Sequence, residues 1–141
     1  MTVDRRAVAR GAVVGTALVV VITIAGAIID RSVDNFDDTS WPVTIFLAIL
    51  VAYGVAGWWA GRATVAGPLT NGALAGLGAF AVWVPLRVLI WAVRDDSRGL
   101  FTGDDAVFSL GGVFANLVFA ATLGMVGALV ATRRAAGEVA S

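Results

Sequence analysis

The chain has 141 residues, of which 59% are hydrophobic, and its mean hydropathy is +0.88. This apolar share exceeds that of ordinary soluble domains, while the length fits one compact unit. The sequence has no cysteine and no histidine, which excludes disulfides, thiolate nucleophiles and the commonest metal ligands. Ten basic residues balance ten acidic ones, so the sequence lacks the basic surface that binds nucleic acid.

Four long apolar segments follow one another along the chain and are separated by short polar segments. Each is long enough to cross about 30 Å of hydrocarbon as an α-helix. We therefore predict a single all-α domain, a polytopic membrane protein whose four transmembrane helices pack as two antiparallel hairpins. The predicted helices span residues 11–29, 41–61, 72–93 and 105–132 of the domain 1–141.

Helix one follows a basic N-terminal segment that contains Arg5 and Arg6. A secretory signal peptide begins in the same way, and Ala25, Gly26 and Ala27 loosely fit a cleavage site. Cleavage would leave an odd number of helices in the bundle. A retained first helix is therefore the favoured interpretation, and a cleaved signal peptide is the alternative.

The ends of the later helices carry their own signals. Ser40 is the predicted N-cap of helix two, and Pro42 lies in its first turn, where proline is tolerated. Pro85 falls inside helix three and is expected to kink it. Asp104 and Asp105 are expected to interact favourably with the positive N-terminal end of helix four.

Arginine placement predicts the orientation in the membrane, because cytoplasmic loops carry the excess of basic residues. The side with both termini would hold six arginines and the other side three, which predicts that both termini are cytoplasmic. The use of arginine without lysine is typical of a GC-rich bacterial genome, so we expect the bacterial inner membrane. The six are Arg5, Arg6, Arg10, Arg62, Arg133 and Arg134, and the three are Arg31, Arg94 and Arg98.

Glycines spaced by four residues mark one face of three helices. Without side chains, these faces let helix backbones approach closely. Packing within the bundle is the favoured interpretation, and a dimerisation surface between copies is the alternative. The three pairs are Gly11 and Gly15, Gly57 and Gly61, and Gly72 and Gly76.

Two helices begin alike and two end alike, which suggests an internal repeat. The segment 11–15 resembles 72–76, and 54–57 resembles 124–127. Duplication of a hairpin is one explanation, since parallel repeats occur in transporters. Independent use of glycine at equivalent contact points is the other, and the sequence leaves both open.

The segment 54–78 reads GVAGWWAGRATVAGPLTNGALAGLG. It resembles the YrzE-like proteins, a group of small four-helix bacterial membrane proteins of uncharacterised function. In that group helix two ends in a glycine-rich AGR-type turn, and helix three begins with glycines at every fourth position. The resemblance implies four helices and a bacterial inner membrane, and it carries no activity or catalytic residue. The matching residues are Ala60, Gly61, Arg62, Gly67, Gly72 and Gly76.

Arg87 is the charged residue that lies within an apolar segment, where its insertion is costly and its presence suggests a function. Trp83 and Trp91, four residues to either side, lie on the same helix face and are expected to flank its guanidinium group. A structural ion pair is the favoured interpretation, and a ligand or ion site is the alternative. The acidic residues expected to neutralise it are Asp30, Asp104 and Asp105.

Other polar residues within the helices are expected to form hydrogen bonds. Asn116 follows Gly111 and Gly112 and is expected to bond across helices. Tyr53, in the inner half of helix two, is expected to bond to Asn71 or to a backbone group. The hydroxyls expected to bond to carbonyls of their own helices are those of Thr16, Thr23, Thr44, Ser109 and Thr122.

The sequence contains no recognisable catalytic, cofactor or metal constellation. Asp34, Asp37 and Asp38 lack the spacing of a calcium-binding loop, so a solvated acidic surface is the favoured interpretation. We predict a non-enzymatic component that contacts the lipid bilayer and either its own copies or a larger membrane complex. A small transporter or channel that uses Arg87 is the alternative. An enzyme acting on lipids, through the aspartates near Arg94, is a more distant one.

Overall fold

Four α-helices make up most of the chain in the computed structural model, which describes residues 3–64, 66–94, 98–103 and 106–140, the last four of them by their backbone alone. All four helices are long and apolar enough to cross a membrane. This confirms the prediction of an all-helical chain with four membrane-length helices. The helices are α1 (Arg5–Ser32), α2 (Trp41–Arg62), α3 (Pro68–Arg94) and α4 (Leu110–Ala140), with a short 3₁₀ turn at Phe36–Asp38.

Two helices, α1 and α3, begin before the predicted apolar segments because a polar cap and a proline define their starts. α1 begins at Arg5 and not at residue 11, since the Asp4 carboxylate accepts hydrogen bonds from the backbone N–H groups of Arg6 and Ala7, at 3.0 and 3.2 Å. α3 begins at Pro68 and not at residue 72, because proline is well suited to a first helical position.

Helix four begins later than the sequence predicts, at Leu110 and not at residue 105. The Ser109 hydroxyl accepts a hydrogen bond from the backbone N–H of Gly112 at 3.0 Å, which caps the first turn. Residues 106–109 are not helical. Asp104 and Asp105, which are expected to interact with the positive end of this helix, lie outside the described residues.

Ser40 occupies the N-cap position of α2, but its side chain makes no capping hydrogen bond. The preceding residue does so instead, because the Thr39 hydroxyl accepts from the backbone N–H of Trp41 at 3.3 Å. The prediction of Ser40 as the N-cap residue is confirmed. The side-chain hydrogen bond at this helix start comes from the hydroxyl one position earlier.

The helices lie side by side, with α1 and α4 each packed against both α2 and α3, and with α2 and α3 in contact with each other. At one end, Gly11 lies beside Ala60, while Gly61 and Gly72 lie beside Ala128. We call the end marked by these five residues the closed end. The starts of α1 and α3, the end of α2 and the C-terminal half of α4 meet there.

Glycine and alanine produce the close packing of the closed end. A Cβ atom placed on Gly57 would overlap the backbone of Gly124, and one placed on Gly61 would lie 2.6 Å from the Ala128 Cα. The helices therefore touch through their backbones, which replaces hydrophobic burial with dispersion contacts. Each of the six glycines singled out from the sequence faces another helix of the same chain, namely Gly11, Gly15, Gly57, Gly61, Gly72 and Gly76.

A fully buried asparagine joins α1 to the α2–α3 connection at the closed end. The Asn71 side-chain oxygen accepts from the backbone N–H of Asp4 at 3.0 Å. Its amide nitrogen donates to the Thr64 hydroxyl at 3.3 Å and to the Ala66 carbonyl at 3.1 Å. The expected pairing of Asn71 with Tyr53 is wrong, since the Tyr53 hydroxyl has no hydrogen-bond partner among the described residues.

The outside of the bundle is apolar. Only 17% to 33% of the most apolar part of each helix is buried by the rest of the protein. Large side chains such as Val21, Val51 and Phe114 are 65% to 68% exposed. An exterior of this kind is stable in hydrocarbon and not in water, which is compatible with a multi-pass membrane protein.

Candidate functional site

A cavity of about 310 Å³ lies at the opposite end of the bundle, between α1, α2 and α3 and the connections that follow α1 and α3. We call this end the open end. The volume of the cavity falls within the range of about 300–1,000 Å³ that is typical of ligand sites. Three arginines, Arg87, Arg94 and Arg98, line the cavity together with Asp30 and Asp37.

An ion pair joins α1 to α3 at the edge of this cavity. The Arg94 guanidinium donates to the Asp30 carboxylate at 2.5 Å, and the two side chains are 26% and 29% exposed. The sequence predicts Asp30 as a neutralising residue for Arg87, whereas Asp30 pairs with Arg94 in the structure. Arg94 is the last residue of α3, and Asp30 lies in the last turn of α1. The ion pair therefore joins the ends of the two helices.

Arg87 points its guanidinium group toward an aromatic ring. The guanidinium carbon lies 5.9 Å from the centre of the Trp83 ring, one helical turn earlier, at a distance suited to a cation–π contact. Trp91, one turn later, lines the same cavity and donates its indole N–H to the Arg98 carbonyl at 2.8 Å. Both tryptophans therefore border the arginine-lined cavity.

The connection between α3 and α4 folds back on itself beside the cavity. The backbone N–H groups of Val107 and Phe108 donate to the carbonyls of Gly99 and Leu100, each at 3.0 Å. Phe108 is 3% exposed, and its ring contacts that of Trp83 edge-to-face at a centroid distance of 5.9 Å. These contacts hold residues 99–100 and 107–108 together close to the open end.

Two buried donors that line the cavity have no hydrogen-bond partner among the described residues, the Thr23 hydroxyl and the Trp83 indole N–H. Thr23 is only 4% exposed. The expectation that its hydroxyl bonds to its own helix is wrong, whereas the Thr44 hydroxyl does donate to the Ser40 carbonyl at 3.0 Å. A buried donor without an acceptor is rare in native proteins, and such a group frequently indicates a ligand or water position.

The remaining predicted polar residues lie away from the cavity. Asn116 donates to the carbonyl of Gly112 in its own helix at 2.9 Å, so the expected bond to another helix is absent among the described residues. Of the acidic residues after α1, Asp37 lines the cavity.

Arg94 and Arg98 are cavity residues that the sequence analysis did not predict as part of a binding site. A signal for one of them was present, because residues 83, 87, 91 and 94 follow the spacing of a single helix face. That face carries two tryptophans and two arginines. Thr23 had no comparable signal, since a threonine in an apolar helix commonly bonds to its own backbone.

Comparison with known proteins gave no relative: no family model, curated protein or solved structure matches the chain. The function is therefore inferred from geometry and chemistry. Planar guanidinium groups bind carboxylates and phosphates through paired N–H donors, and three of them converge on one cavity.

Proposed function

We propose that this chain is a non-enzymatic integral membrane protein that acts by association, either as an accessory subunit of a larger membrane complex or through contacts between its own copies. The sequence supports a non-enzymatic role because it lacks cysteine and histidine and has a single glutamate, Glu138. The proposed location is the bacterial cytoplasmic membrane.

Asn116 is the observation that carries this proposal. Its side chain is half-buried, and its described hydrogen bond goes to Gly112 of the same helix. An amide at an apolar surface within hydrocarbon gains from bonding to a second helix. Gly112, one turn earlier on the same helix face, is exposed, and a Cβ atom placed on it would meet only the Ser109 hydroxyl oxygen, at 2.7 Å. A neighbouring helix can therefore approach α4 closely at this position.

We also propose that both termini are cytoplasmic and that the bundle arose by duplication of an antiparallel hairpin. Arg62 lies at the closed end with Arg5, Arg6 and Arg10, in agreement with the excess of arginine expected on the cytoplasmic side. Similar small-residue contacts recur in both halves and support duplication. Gly11 and Gly15 face Ala52, Ala56 and Ala60, while Gly72 and Gly76 face Ala120, Gly124 and Ala128.

The association is tested with Asn116→Leu. We expect the wild-type protein to form oligomers, or to co-purify with a defined partner, after gentle detergent extraction and native mass spectrometry. Because an interhelical hydrogen bond of this kind contributes about 0.6–2 kcal/mol, the substitution should weaken association by about 3- to 30-fold.

Thr122→Val is the matched control, since it removes a polar group from the same helix, at an exposed position. It lies on a different helix face from Asn116 and should leave association unchanged. A wild-type protein that remains strictly monomeric and without partners, at every protein-to-lipid ratio, would contradict the proposal.

A small transporter or channel is the second candidate, favoured by the position of Arg87 on the wall of a cavity between helices. On this account, proteoliposomes would show solute flux that Arg87→Ala abolishes while the helical content stays unchanged. Absence of flux in the wild-type protein would exclude the tested solutes. The close packing of Gly57 and Gly61 on α4 closes the opposite end of the bundle, which favours association over conduction.

A further inference from the structure

Exposed arginines surround the closed end of the bundle. Six of the ten arginines lie there, on α1, α2 and α4, and all six side chains are exposed. Because α1 and α4 lie on opposite sides of the α2–α3 pair, the charges are spread around the bundle. We call these residues the arginine collar, and they are Arg5, Arg6, Arg10, Arg62, Arg133 and Arg134.

The closed end has too few acidic side chains to neutralise the collar. The sequence places two there, Asp4 and Glu138, so six positive and two negative side chains leave a net charge of +4. The Asp4 carboxylate also accepts from two backbone N–H groups of α1. Within the described part of the chain, none of the six arginines forms an ion pair. The excess of positive charge at this end therefore holds however the side chains are placed.

The collar lies at the level of lipid headgroups. At about 1.5 Å per residue, Arg10 and Arg62 lie within about 3 Å of the five residues that define the closed end, and Arg5 and Arg134 lie about 9 Å beyond them. A headgroup layer is about 5–8 Å thick, and a long arginine side chain adjusts its height within it. Between Arg10 and Asp30, α1 covers about 30 Å, the thickness of the hydrocarbon. The collar therefore begins where the hydrocarbon ends.

Two tryptophans beside the collar support this level. The Arg62 guanidinium carbon lies 4.7 Å from the centre of the Trp58 ring, one turn earlier in α2. The next residue, Trp59, is 43% exposed. Tryptophan is enriched where hydrocarbon meets headgroups. A guanidinium held over an indole ring is thereby positioned at the level of lipid phosphates, which it binds through paired N–H donors.

We propose that the arginine collar binds anionic phospholipids, so that the closed end carries a ring of lipid enriched in negative charge. Near an anionic surface, each arginine strengthens the attraction by about fivefold. An acidic protein segment is the alternative. The spread of the collar over opposite sides of the bundle favours lipid, because lipids reach every side at once. The proposal requires neither association through α4 nor a particular orientation in the membrane.

The test is electron paramagnetic resonance of spin-labelled lipids in phosphatidylcholine vesicles that contain the full chain. The motionally restricted part of the signal gives the association of spin-labelled phosphatidylglycerol relative to that of spin-labelled phosphatidylcholine. We expect the wild-type protein to prefer phosphatidylglycerol about fivefold in about 0.01 M salt. In about 1 M salt the preference should fall below about twofold, because the Debye length shortens from about 30 Å to about 3 Å.

Paired substitutions locate the preference. Arg6→Gln combined with Arg10→Gln removes two charges from one exposed face of α1 and should lower the preference to about twofold. Arg6→Lys combined with Arg10→Lys is the matched control, which keeps the charge and should keep the preference. Arg31→Gln removes a charge from the other end of the same helix and should also keep it. Arg133→Gln combined with Arg134→Gln should lower the preference to about twofold from α4, which keeps the test decisive if the α1 variant fails to fold.

Three outcomes would overturn the proposal. The first is equal association of the two lipids with the wild-type protein at low salt, and capture of the detergent-solubilised chain by polyglutamate would then assign the collar to an acidic protein segment. The second is a preference that survives the loss of both arginine pairs. The third is an equal loss in the glutamine and lysine variants of Arg6 and Arg10, which would assign the effect to altered structure and not to charge.

Discussion

Gly57→Ala is expected to destabilise the bundle by about 3 kcal/mol or more, the upper part of the range for overpacking a closely packed interior. The added Cβ atom would overlap the carbonyl group and Cα of Gly124. These are backbone atoms of α4, so no side chain can rotate away and the two helices must separate. The measurement is the free energy of unfolding in mixed micelles, followed by circular dichroism as sodium dodecyl sulfate is added.

Gly54→Ala provides the control for this result. Gly54 lies in the same helix, and its nearest potential clash, with the Leu123 carbonyl oxygen, is at 3.9 Å, an ordinary van der Waals contact. We expect a change within about 1 kcal/mol, the scale of the helix-propensity difference between glycine and alanine. Equal effects of the two substitutions would show that α2 and α4 do not meet in this register.

Asn71→Leu is expected to lower the free energy of unfolding by about 2 kcal/mol or more. Leucine has a similar volume but leaves the Asp4 N–H without its acceptor, and an unsatisfied buried group costs about 1–3 kcal/mol. The bonds to Thr64 and Ala66 are lost as well. Hydrogen exchange should accelerate at the start of α1 and in the connection between α2 and α3.

Asn116→Leu makes the same chemical change at a half-buried site whose hydrogen bond stays within one helical turn. In monomeric micelles it should change stability by less than about 0.5 kcal/mol, as is usual for surface substitutions. If Asn71→Leu were as mild, with unchanged exchange at the start of α1, the buried network would not hold the closed end together.

The helical architecture could be predicted because hydrophobicity over a membrane-length segment is a strong local signal. The ends of the helices could not, since they depend on polar details outside those segments. Asp4 starts α1 with a side-chain cap, and Ser109 starts α4 after the acidic pair. The hydropathy of the sequence does not reveal either of these capping side chains.

The glycine faces could also be identified from their spacing, but their partners could not. Gly57, Gly72 and Gly76 all lie beside Gly124, which the sequence analysis noted only as part of a repeat. Helical periodicity gives the face of one helix and carries no information about which helix covers it. The spacing of Ala120, Gly124 and Ala128 by four residues was an available signal for this central position.

For the candidate site, Arg87 and Asp30 were identified as residues of interest, but the pairing of Asp30 with Arg94 was not expected. Arg87 and Arg94 lie two turns apart on α3, and periodicity along one helix does not show which of them lies level with Asp30 of α1. The other two aspartates expected near Arg87, Asp104 and Asp105, lie outside the described residues. The cavity itself depends on the path of the chain after α3, which has no periodic pattern to predict it.

Single-cysteine labelling tests the central claim, that the chain spans the membrane as a four-helix bundle with its closed end in the cytoplasm. The chain has no cysteine, so Ser32→Cys, Ala63→Cys and Ala135→Cys each introduce a unique thiol. In intact cells, a membrane-impermeant maleimide should label Ser32→Cys, and should label the other two only after permeabilisation. Labelling of Ala63→Cys or Ala135→Cys in intact cells, with or without that of Ser32→Cys, would contradict the account.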